Sequence, residues 1–493
     1  MQPNSTPYSK SSFRRRCILA ARGSRDLRKL DHRLADLLNQ AATLQREESW
    51  YRSRLEKCRS DQHFNEAEMR KKIEDIRDHK LSKHRDIQNY TAQLTDEVRL
   101  RLNRELENSS FSWNLTLGPT VGRRQTYQLP NDFYTRLVAQ EVLADLERLK
   151  EWRALDRKST IRALKTALER VPDYSVLRLD ISNFFASIPH ETLKERLTRE
   201  TNIASTTHEL VLLLLEEFRK VNNLGQGASG VPQGVNFSSA LAEVYMKDFD
   251  LRWSEHPAVA FYCRYVDDII VLVDPDGDDA SKVSEIIEKE ISEEFSRLGL
   301  AINKRKTARI NVCTQSTDES NWQFNYLGYS FHILESETPS VVVALTQERL
   351  TRIKERIRLS FRSWKRSIRK AQKNSDPQKL STAIESSNAL LLKRLRFLAG
   401  NTKIPSSRGA VSVGIYFSNS AVTSAEQVRT LDSYLDGQLK ANDPLIRRFF
   451  TSEKQKSRLS EISFMKAFKL RKFQLLSPRE VKEISKCWKE KVK

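Results

Sequence analysis

Two adjacent aspartates inside an apolar stretch are the feature that most constrains this chain. Asp267 and Asp268 lie within FYCRYVDDIIVLV, residues 261–273. The apolar and aromatic residues on both sides predict the two strands of a β-hairpin, with the acids in the turn between them. An isolated pair of aspartates is commonly a solvated turn, but carboxylates in so apolar a setting need a compensating charge. The stretch therefore predicts a functional site at the turn of the hairpin.

A third acid ends another apolar run. VLRLDI, residues 176–181, is typical of a buried strand, and Asp180 stands near its end. Three carboxylates at one edge of a sheet would repel one another unless divalent cations lay between them, and oxygen ligands favour magnesium. Two such ions roughly 3.5–4 Å apart can activate a 3′-hydroxyl and stabilise a leaving pyrophosphate. Asp180, Asp267 and Asp268 are therefore predicted to be catalytic metal ligands.

Five sequence blocks resemble, in their order and spacing, the motifs of reverse transcriptases. A YxDD tetrapeptide alone would be weak, whereas five blocks in order across residues 176–331 are specific. The blocks are LDISNFFASIPH from Leu179, GVPQGVNFSSALA from Gly230, YVDD at residues 265–268, LAINKRKT from Leu300 and FNYLGYSF from Phe324. The resemblance implies an RNA-directed DNA polymerase, a nucleotidyltransferase that makes DNA from deoxynucleotides with two Mg²⁺ ions, or Mn²⁺ as a substitute. It also implies an α/β right-hand fold with fingers, a palm on an antiparallel sheet, and a helical thumb.

The resemblance assigns roles beside the acids. The backbone carbonyl of Ile181 would join the metal ligands. Phe185 matches the position of a bulky ring that lies against the sugar of the incoming nucleotide and excludes a 2′-hydroxyl. Core packing is the alternative for Phe185, because the sequence does not decide whether Phe184 or Phe185 is the packed ring.

Further residues match positions that contact nucleotide, primer or phosphate. Gln233 could hydrogen-bond the nucleotide or the template pair, and Gly234 would permit close backbone approach, although PQG alone is only a turn. Lys306, in the NxxKT pattern of residues 303–307, matches a lysine near the triphosphate, with a solvated lysine as the alternative. The primer-grip block contains Leu327, Gly328 and Tyr329. Residues that would contact phosphates from the fingers, or form a solvated helix face, are Arg153, Arg157, Lys158 and Arg162.

Length and charge set the domain organisation and the class of partner. The chain has 493 residues, a net charge of +21 and a pI of about 9.7, which predicts two or three domains and attraction to nucleic acid. Helical spacing among dense charges predicts a basic helical N-terminal extension over residues 1–108. Residues 109–344 would form the fingers and palm, and residues 345–493 a helical thumb and C-terminal region that grips duplex phosphates.

Along this chain, helices are predicted over residues 25–108, 133–168, 193–218 and 283–298, and mostly helix after residue 345. Residues 300–312 are predicted to form another edge of the sheet, and residues 325–333 a short strand pair. The basic, serine-containing start has a composition similar to a transit peptide, but the helical pattern that follows it favours a nucleic-acid-facing arm.

The cysteines and apolar runs bear on location. Five cysteines, scattered without CxxC or zinc-type spacing, favour a reduced intracellular protein. No apolar run approaches the roughly 20 residues that a membrane span needs, so no membrane partner is expected. With the bacterial resemblance below, the expected location is the bacterial cytoplasm.

The long N-terminal extension and LGYSF are similar to those of bacterial defence-associated, or "unknown group", reverse transcriptases. FSWNLTLG, QTYQLP, SALAEVYMKDFD and FYCRYVDDIIVL resemble the smaller partner of two-polymerase antiviral systems. This implies copying of a dedicated noncoding RNA template in antiphage defence, beside a second reverse transcriptase or as a homo-oligomer. A retron or group II intron reverse transcriptase is one alternative, and a degenerate polymerase that acts as an RNA-binding scaffold is another, which the intact acids argue against.

The sequence leaves open the roles of one tryptophan and two tyrosines. Trp364 could be a stacking platform, although core packing is favoured. If synthesis is primed by a protein hydroxyl, Tyr8 and Tyr51 are candidates by availability alone.

Overall fold

The computed structural model describes residues 8–9, 31–57, 65–122, 124–149, 157–170, 173–274, 279–312, 322–334, 340–373, 376–406 and 409–489. Its helices are α1 (His32–Lys57), α2 (Glu66–Glu107), α3 (Phe133–Leu146), α4 (Arg157–Leu168), α5 (Phe184–Ser187), α6 (His190–Arg199), α7 (Ser205–Val221), α8 (Ser238–Ser254), α9 (Ala280–Arg297), α10 (Gln347–Ala371), α11 (Pro377–Ala399), α12 (Glu426–Ala441), α13 (Asp443–Phe449), α14 (Glu453–Ser460), α15 (Phe464–Leu470) and α16 (Pro478–Lys489).

The strands are β1 (Thr116–Leu117), β2 (Tyr127–Gln128), β3 (Tyr174–Asp180), β4 (Val259–Tyr265), β5 (Asp268–Val273), β6 (Ala308–Val312), β7 (Trp322–Tyr326), β8 (Tyr329–Leu334), β9 (Ser340–Leu345), β10 (Asn401–Ser406), β11 (Gly409–Gly414) and β12 (Gln474–Leu475). The mixed α/β class is confirmed. Within the described ranges, no helix is both long and apolar enough to cross a membrane.

Residue contacts divide the chain into two compact units. The first takes its described residues from Met1–Arg153, Ser182–Phe249 and Phe295–Ala301. The second takes them from Ala154–Ile181, Asp250–Glu294 and Ile302–Lys493. These units cut across the three predicted segments, so the division into extension, fingers with palm, and thumb stays a prediction.

In the first unit, the predicted N-terminal helices are present in the described residues. Asn65 caps α2 by accepting a hydrogen bond from the Glu68 backbone N–H, and acidic residues occupy the first turn, where the helix dipole favours them. The apolar positions of α2 are buried at helical spacing, and α1 packs against this helix. Further along, the Trp113 indole donates to the Leu210 carbonyl at 2.8 Å, which ties the segment after α2 to α7.

The second unit is built on a four-stranded antiparallel sheet in the order β4-β5-β3-β6. Residues 269–273 of β5 are completely buried, which explains their continuous apolar sequence. The hairpin of β4 and β5 is the one that the sequence predicts. Because β3 lies beside β5, Asp180 pairs in register with Asp268.

The second unit also contains two smaller sheets, and the first of them lies in the same core as two long helices. Strands β7, β8 and β9 form an antiparallel sheet in that order, which confirms the strand pair predicted over residues 325–333. Around it, α10 and α11 bury apolar side chains in the same core, and Trp364 on α10 is 1% exposed. The Trp364 indole donates to Asn388 at 2.9 Å, so this residue is a core residue and not a stacking platform.

One prediction of local structure is wrong, and two others gain detail. Residues 193–218 do not form one helix, because α6 ends at Arg199 and the Asp145 carboxylate accepts from the Ala204 N–H at 2.8 Å where α7 begins. The sheet edge predicted over residues 300–312 is present, since β6 pairs with β3 and Ile302 forms an isolated bridge with Ile181. The C-terminal region is mostly helical, as predicted, and it also contains a third sheet of β10, β11 and β12 that the sequence analysis did not predict.

Candidate active site

The three predicted catalytic acids lie at one end of the four-stranded sheet. β3 ends at Asp180, β5 begins at Asp268, and these two residues are register partners. The backbone N–H of Ile181 donates to the carbonyl of Asp267 at 2.9 Å. The pairing of two strands with distant sequence positions therefore gathers Asp180, Ile181, Asp267 and Asp268.

The hairpin turn that carries Asp267 has an unusual backbone. Val266 has a φ of 62°, and among the two central turn residues only Val266 is in the left-handed region. A two-residue turn of this pattern ordinarily places glycine first. For a β-branched residue the conformation costs about 1–3 kcal/mol and persists only where its surroundings impose it.

Arg264 supplies that restraint. Its side chain is 2% exposed and forms a two-point ion pair with Asp250, from Nε to Oδ1 at 2.8 Å and from Nη2 to Oδ2 at 2.6 Å. Arg264 Nη1 donates to the carbonyl of Val266 at 3.0 Å, and the Tyr262 hydroxyl donates to Asp250 Oδ1 at 2.6 Å. The sequence analysis missed this group, although an arginine inside an apolar strand signals a buried charge that needs a partner.

Cations surround the acids. Lys306 Nζ donates to Asp180 Oδ1 at 2.7 Å, and Asn303 Nδ2 donates to Asp180 Oδ2 at 3.1 Å. Arg178, two residues before Asp180 on β3, donates from Nη2 to Asp268 Oδ1 at 3.2 Å. The sequence analysis had not selected Arg178 or Asn303, but alternation along β3 places Arg178 and Asp180 on the same face.

Burial raises the pKa of Asp268, and the negative charges of Asp267 and Asp180 raise it further, while Arg178 opposes them. The acids therefore lie close enough to repel one another, as a cation-binding group does before its cation arrives.

The donor chemistry suits magnesium, because three carboxylates lie at one end of the sheet and together carry more negative charge than Arg178 and Lys306 balance. Nevertheless, among the described residues no group of three or more His, Cys, Asp and Glu side chains is arranged to hold a metal ion. The geometry explains this, since Lys306, Asn303 and Arg178 occupy carboxylate oxygens that a metal would need. The carboxylates are ligands of the kind that magnesium prefers. For the ion to bind, Lys306, Asn303 and Arg178 would have to release the carboxylate oxygens.

The predicted primer-grip residues form a second hairpin turn in the same unit. Leu327 and Gly328 have φ values of 47° and 74°, which is the pattern of a type I′ turn between β7 and β8. Arg157 donates from Nε to the carbonyl of Leu327 at 2.9 Å. The guanidinium groups of Arg157 and Arg349 lie 5.2 Å and 5.3 Å from the centre of the Tyr329 ring. A cationic surface therefore surrounds the turn.

The residues that were predicted to contact phosphates from the fingers differ in their surroundings. Arg153 lies outside the described residues. Lys158 and Arg162 are exposed on α4, where Arg157 also begins the helix. Arg157 has a partner within the protein, and its contact with phosphate stays a prediction, as do those of Lys158 and Arg162.

The first unit contains the predicted nucleotide-binding residues. Phe184 is 3% exposed and Phe185 is partly exposed, so Phe184 is the packed ring and Phe185 retains free surface. The Tyr127 N–H donates to the Gln233 carbonyl at 2.7 Å. Gly234 has a φ of 110°, and a Cβ there would lie 2.5 Å from the Tyr127 carbonyl oxygen, so this position requires glycine.

The priming candidates differ in availability. The Tyr8 hydroxyl forms a hydrogen bond of 2.9 Å with the Thr207 hydroxyl, and Thr207 donates to buried Asp145 at 2.7 Å. Burial raises the pKa of Tyr8. Tyr8 is therefore not accessible as a priming hydroxyl in this conformation, whereas Tyr51 is half-buried beside Trp50.

Residues 136–331 match the family model described as reverse transcriptase (RNA-dependent DNA polymerase). The matched stretch contains Asp180, Asp267, Asp268, Lys306 and the Leu327–Gly328 turn. This stretch therefore corresponds to a reverse transcriptase domain, the domain of an RNA-directed DNA polymerase. No curated protein matches the chain.

Several solved structures are similar over part of the chain. Apo telomerase from Candida tropicalis truncated from the C-terminal domain has 13% identity and a TM-score of 0.36, covering 56% of this chain and 69% of that chain. Telomerase from Candida albicans in complex with a fragment of telomeric RNA has 12% identity and a TM-score of 0.32, covering 66% and 56%. The corresponding Candida tropicalis complex has 13% identity and a TM-score of 0.34, covering 66% and 64%. Similarity at this level assigns no function to the chain.

Proposed function

We propose that this chain synthesises DNA on an RNA template by two-metal-ion nucleotidyl transfer, with Asp180, Asp267 and Asp268 as the catalytic ligands. The observation that carries the proposal is the register pairing of Asp180 with Asp268, beside a turn that presents Asp267. When bound, Mg²⁺ ions would activate the primer 3′-hydroxyl and stabilise the leaving pyrophosphate, and Mn²⁺ would substitute.

The protein's own residues position and balance the charge. Arg264 fixes the carbonyl of Val266 and therefore the direction of the two acids that follow it. Lys306 would release Asp180 if a metal took that oxygen, and its ammonium would then be available to the triphosphate, where it would neutralise charge or give a proton to pyrophosphate. The Ile181 carbonyl completes the ligand set.

Substrate selection would come from residues of the first unit. The partly exposed ring of Phe185 excludes a 2′-hydroxyl, so deoxynucleotides are the substrates. Gln233 hydrogen-bonds the nucleotide or its template partner, and Gly234 allows close backbone approach. Packing of the neighbouring Phe184 supports this role for Phe185, because the core does not need both rings.

The remaining parts of the proposal concern arrangement and biology. Residues 109–344 act as fingers and palm and residues 345–493 as the thumb of a right hand, behind the helical extension. The template is a dedicated noncoding RNA, and the product DNA serves antiphage defence in the bacterial cytoplasm, beside a second reverse transcriptase or within a homo-oligomer. The sequence blocks quoted above support this assignment, and the buried thiols of Cys263 and Cys487 suit a reducing compartment.

The test is incorporation of deoxynucleotides, with Mg²⁺, by protein purified with its bound nucleic acid. Wild type is compared with Asp267→Ala/Asp268→Ala, and the products are sequenced. The proposal predicts DNA that is complementary to a co-purified RNA in wild type and none in the variant. A product from both proteins would contradict the metal-ligand assignment, and bound RNA with no product from either would favour the scaffold alternative.

A further inference from the structure

A cavity in the second unit lies outside the catalytic end of the sheet. Its volume is about 380 Å³, within the roughly 300–1,000 Å³ of small-molecule sites. Helix α10 lines it with Arg349, Arg352 and Arg356, and α11 lines it with Phe397. We call this cavity the arginine pocket.

The positive charge of the arginine pocket is poorly balanced. None of the described residues that line it is acidic. Burial lowers the pKa of Arg349, and the charge of Arg157 lowers it further; burial and the charge of Arg352 do the same for Arg356. Neighbouring guanidinium charges that are partly removed from water would gain from an anion placed among them.

The existing partners of these arginines leave room for an anion. Arg349 Nη2 donates to the Ser418 carbonyl at 2.8 Å, but its Nη1 is buried and has no hydrogen-bond partner within the described part of the chain. Arg352 pairs with Glu348 at 2.6 Å, an exposed pair of a kind that contributes little. A buried donor without an acceptor is rare and points to a group that is supplied from outside.

The rest of the lining is apolar and aromatic. Phe397 is partly exposed, its ring centre lies 6.0 Å from that of Trp488, and Arg356 lies 5.4 Å from the Trp488 ring centre. Apolar residues such as Ile353 and Ile404 complete the surface. A nucleotide combines a phosphate with a flat apolar face, and this lining offers a complement to both.

We propose that the arginine pocket binds one phosphate-bearing nucleotide unit of a nucleic acid strand. The phosphate lies among Arg349, Arg352 and Arg356, and the sugar or base lies against Phe397. Arg349 also lies over the Tyr329 ring beside the Leu327–Gly328 turn, so one arginine contacts both the pocket and that turn. The inference rests on the proposed function for the presence of a strand, and the phosphate is either internal to that strand or at its 5′ end.

The test is binding of a 3′-labelled single-stranded oligonucleotide, with either a 5′-phosphate or a 5′-hydroxyl, measured by fluorescence anisotropy over a series of salt concentrations. The pocket variant is Arg352→Gln/Arg356→Gln in the full chain. The matched control is Arg362→Gln/Arg369→Gln, which removes two exposed charges from the same helix that do not line the pocket. No deoxynucleotides are present, so the result is separate from the outcome of the incorporation assay.

The pocket variant should bind about tenfold or more weakly than wild type, because charged hydrogen bonds to phosphate are lost, and its salt slope should fall by roughly one to two. A loss confined to the 5′-phosphorylated strand identifies a terminal phosphate, and an equal loss for both strands identifies a backbone phosphate; either result supports the pocket. The proposal is overturned if the control loses as much affinity as the pocket variant, or if the pocket variant binds like wild type.

Discussion

The catalytic hairpin turn and the primer-grip turn use the same device in different surroundings. Each contains an aliphatic residue at positive φ, Val266 at 62° and Leu327 at 47°, and each has an arginine that donates to the carbonyl of that residue. Arg264 is buried and paired with Asp250, whereas Arg157 is partly exposed and lies beside the Tyr329 ring.

The difference shows what each turn requires. Under the proposed function the first turn presents metal ligands and must stay fixed, and its arginine is held by the Asp250 carboxylate within the protein. Under the same proposal the second turn meets nucleic acid, and its arginine has carbonyl and aromatic partners that leave its positive charge without a counterion among the described residues. In this proposal, an arginine that donates to a turn carbonyl provides rigidity at the catalytic turn and electrostatic attraction at the primer-grip turn.

The largest expected effect comes from Arg264. Arg264→Met leaves the Asp250 carboxylate without its buried counterion, so the free energy of unfolding should fall by about 3–5 kcal/mol. Arg157→Met should cost about 1 kcal/mol, because only hydrogen bonds at a partly exposed turn are lost. Urea denaturation of both variants checks this order. Equal losses would show that the two turns are held alike.

The next largest effects are expected on KM for one arginine and on kcat for the other. Arg157→Gln should raise KM for primer–template about tenfold and leave kcat nearly unchanged, because it removes a charge that we propose to face nucleic acid. Arg264→Lys, which keeps the charge but loses the two-point pairing, should lower kcat and leave KM nearly unchanged. Steady-state primer extension distinguishes them, and the reverse pattern would refute the assignment of rigidity to one turn and attraction to the other.

Relief of backbone strain should have a smaller effect. Val266→Gly removes the left-handed penalty but adds chain entropy to the unfolded state, so a net gain of at most about 1 kcal/mol in unfolding free energy is expected. The rate of incorporation should fall because the turn is less constrained. A variant that is both more stable and fully active would show that the strain at Val266 has no part in presenting the acids.

The smallest effect is expected at the primer grip. Leu327→Asn creates Asn-Gly, the pair preferred in type I′ turns, and should stabilise the hairpin by about 0.5 kcal/mol. Thermal unfolding should shift slightly upward while primer extension stays within about twofold of wild type. A destabilised variant would mean that the Leu327 side chain contributes more by packing than it costs in backbone strain.

The sequence predicted the catalytic hairpin because its signals are local. Continuous apolar strands, an acid pair in the turn and a further acid ending another strand are all legible without tertiary information. We expected these strands to lie side by side and so to bring the acids together. The register of Asp180 with Asp268 bears out that expectation.

Other features depend on contacts between distant residues. No local sequence signal shows that Arg264 pairs with Asp250 or that Arg178 pairs with Asp268, although buried arginines need hydrogen-bond acceptors. Strand β12 was missed because it has two residues and joins a strand some 70 positions earlier, as the pairing of Thr402 with Gln474 shows. The break between α6 and α7 likewise depends on Asp145, which lies far upstream.

The most direct test of the central claim is the single-turnover rate of deoxynucleotide incorporation on a defined RNA template with saturating Mg²⁺. Asp268→Asn keeps the size of the side chain and removes the charge, and Asp279→Asn makes the same change at an exposed position. The account predicts a fall of about 100-fold or more for Asp268→Asn, because metal-ion stabilisation of the transition state is worth several kcal/mol. Asp279→Asn should match wild type. An Asp268→Asn enzyme as fast as Asp279→Asn would contradict the assignment of this acid to a catalytic metal.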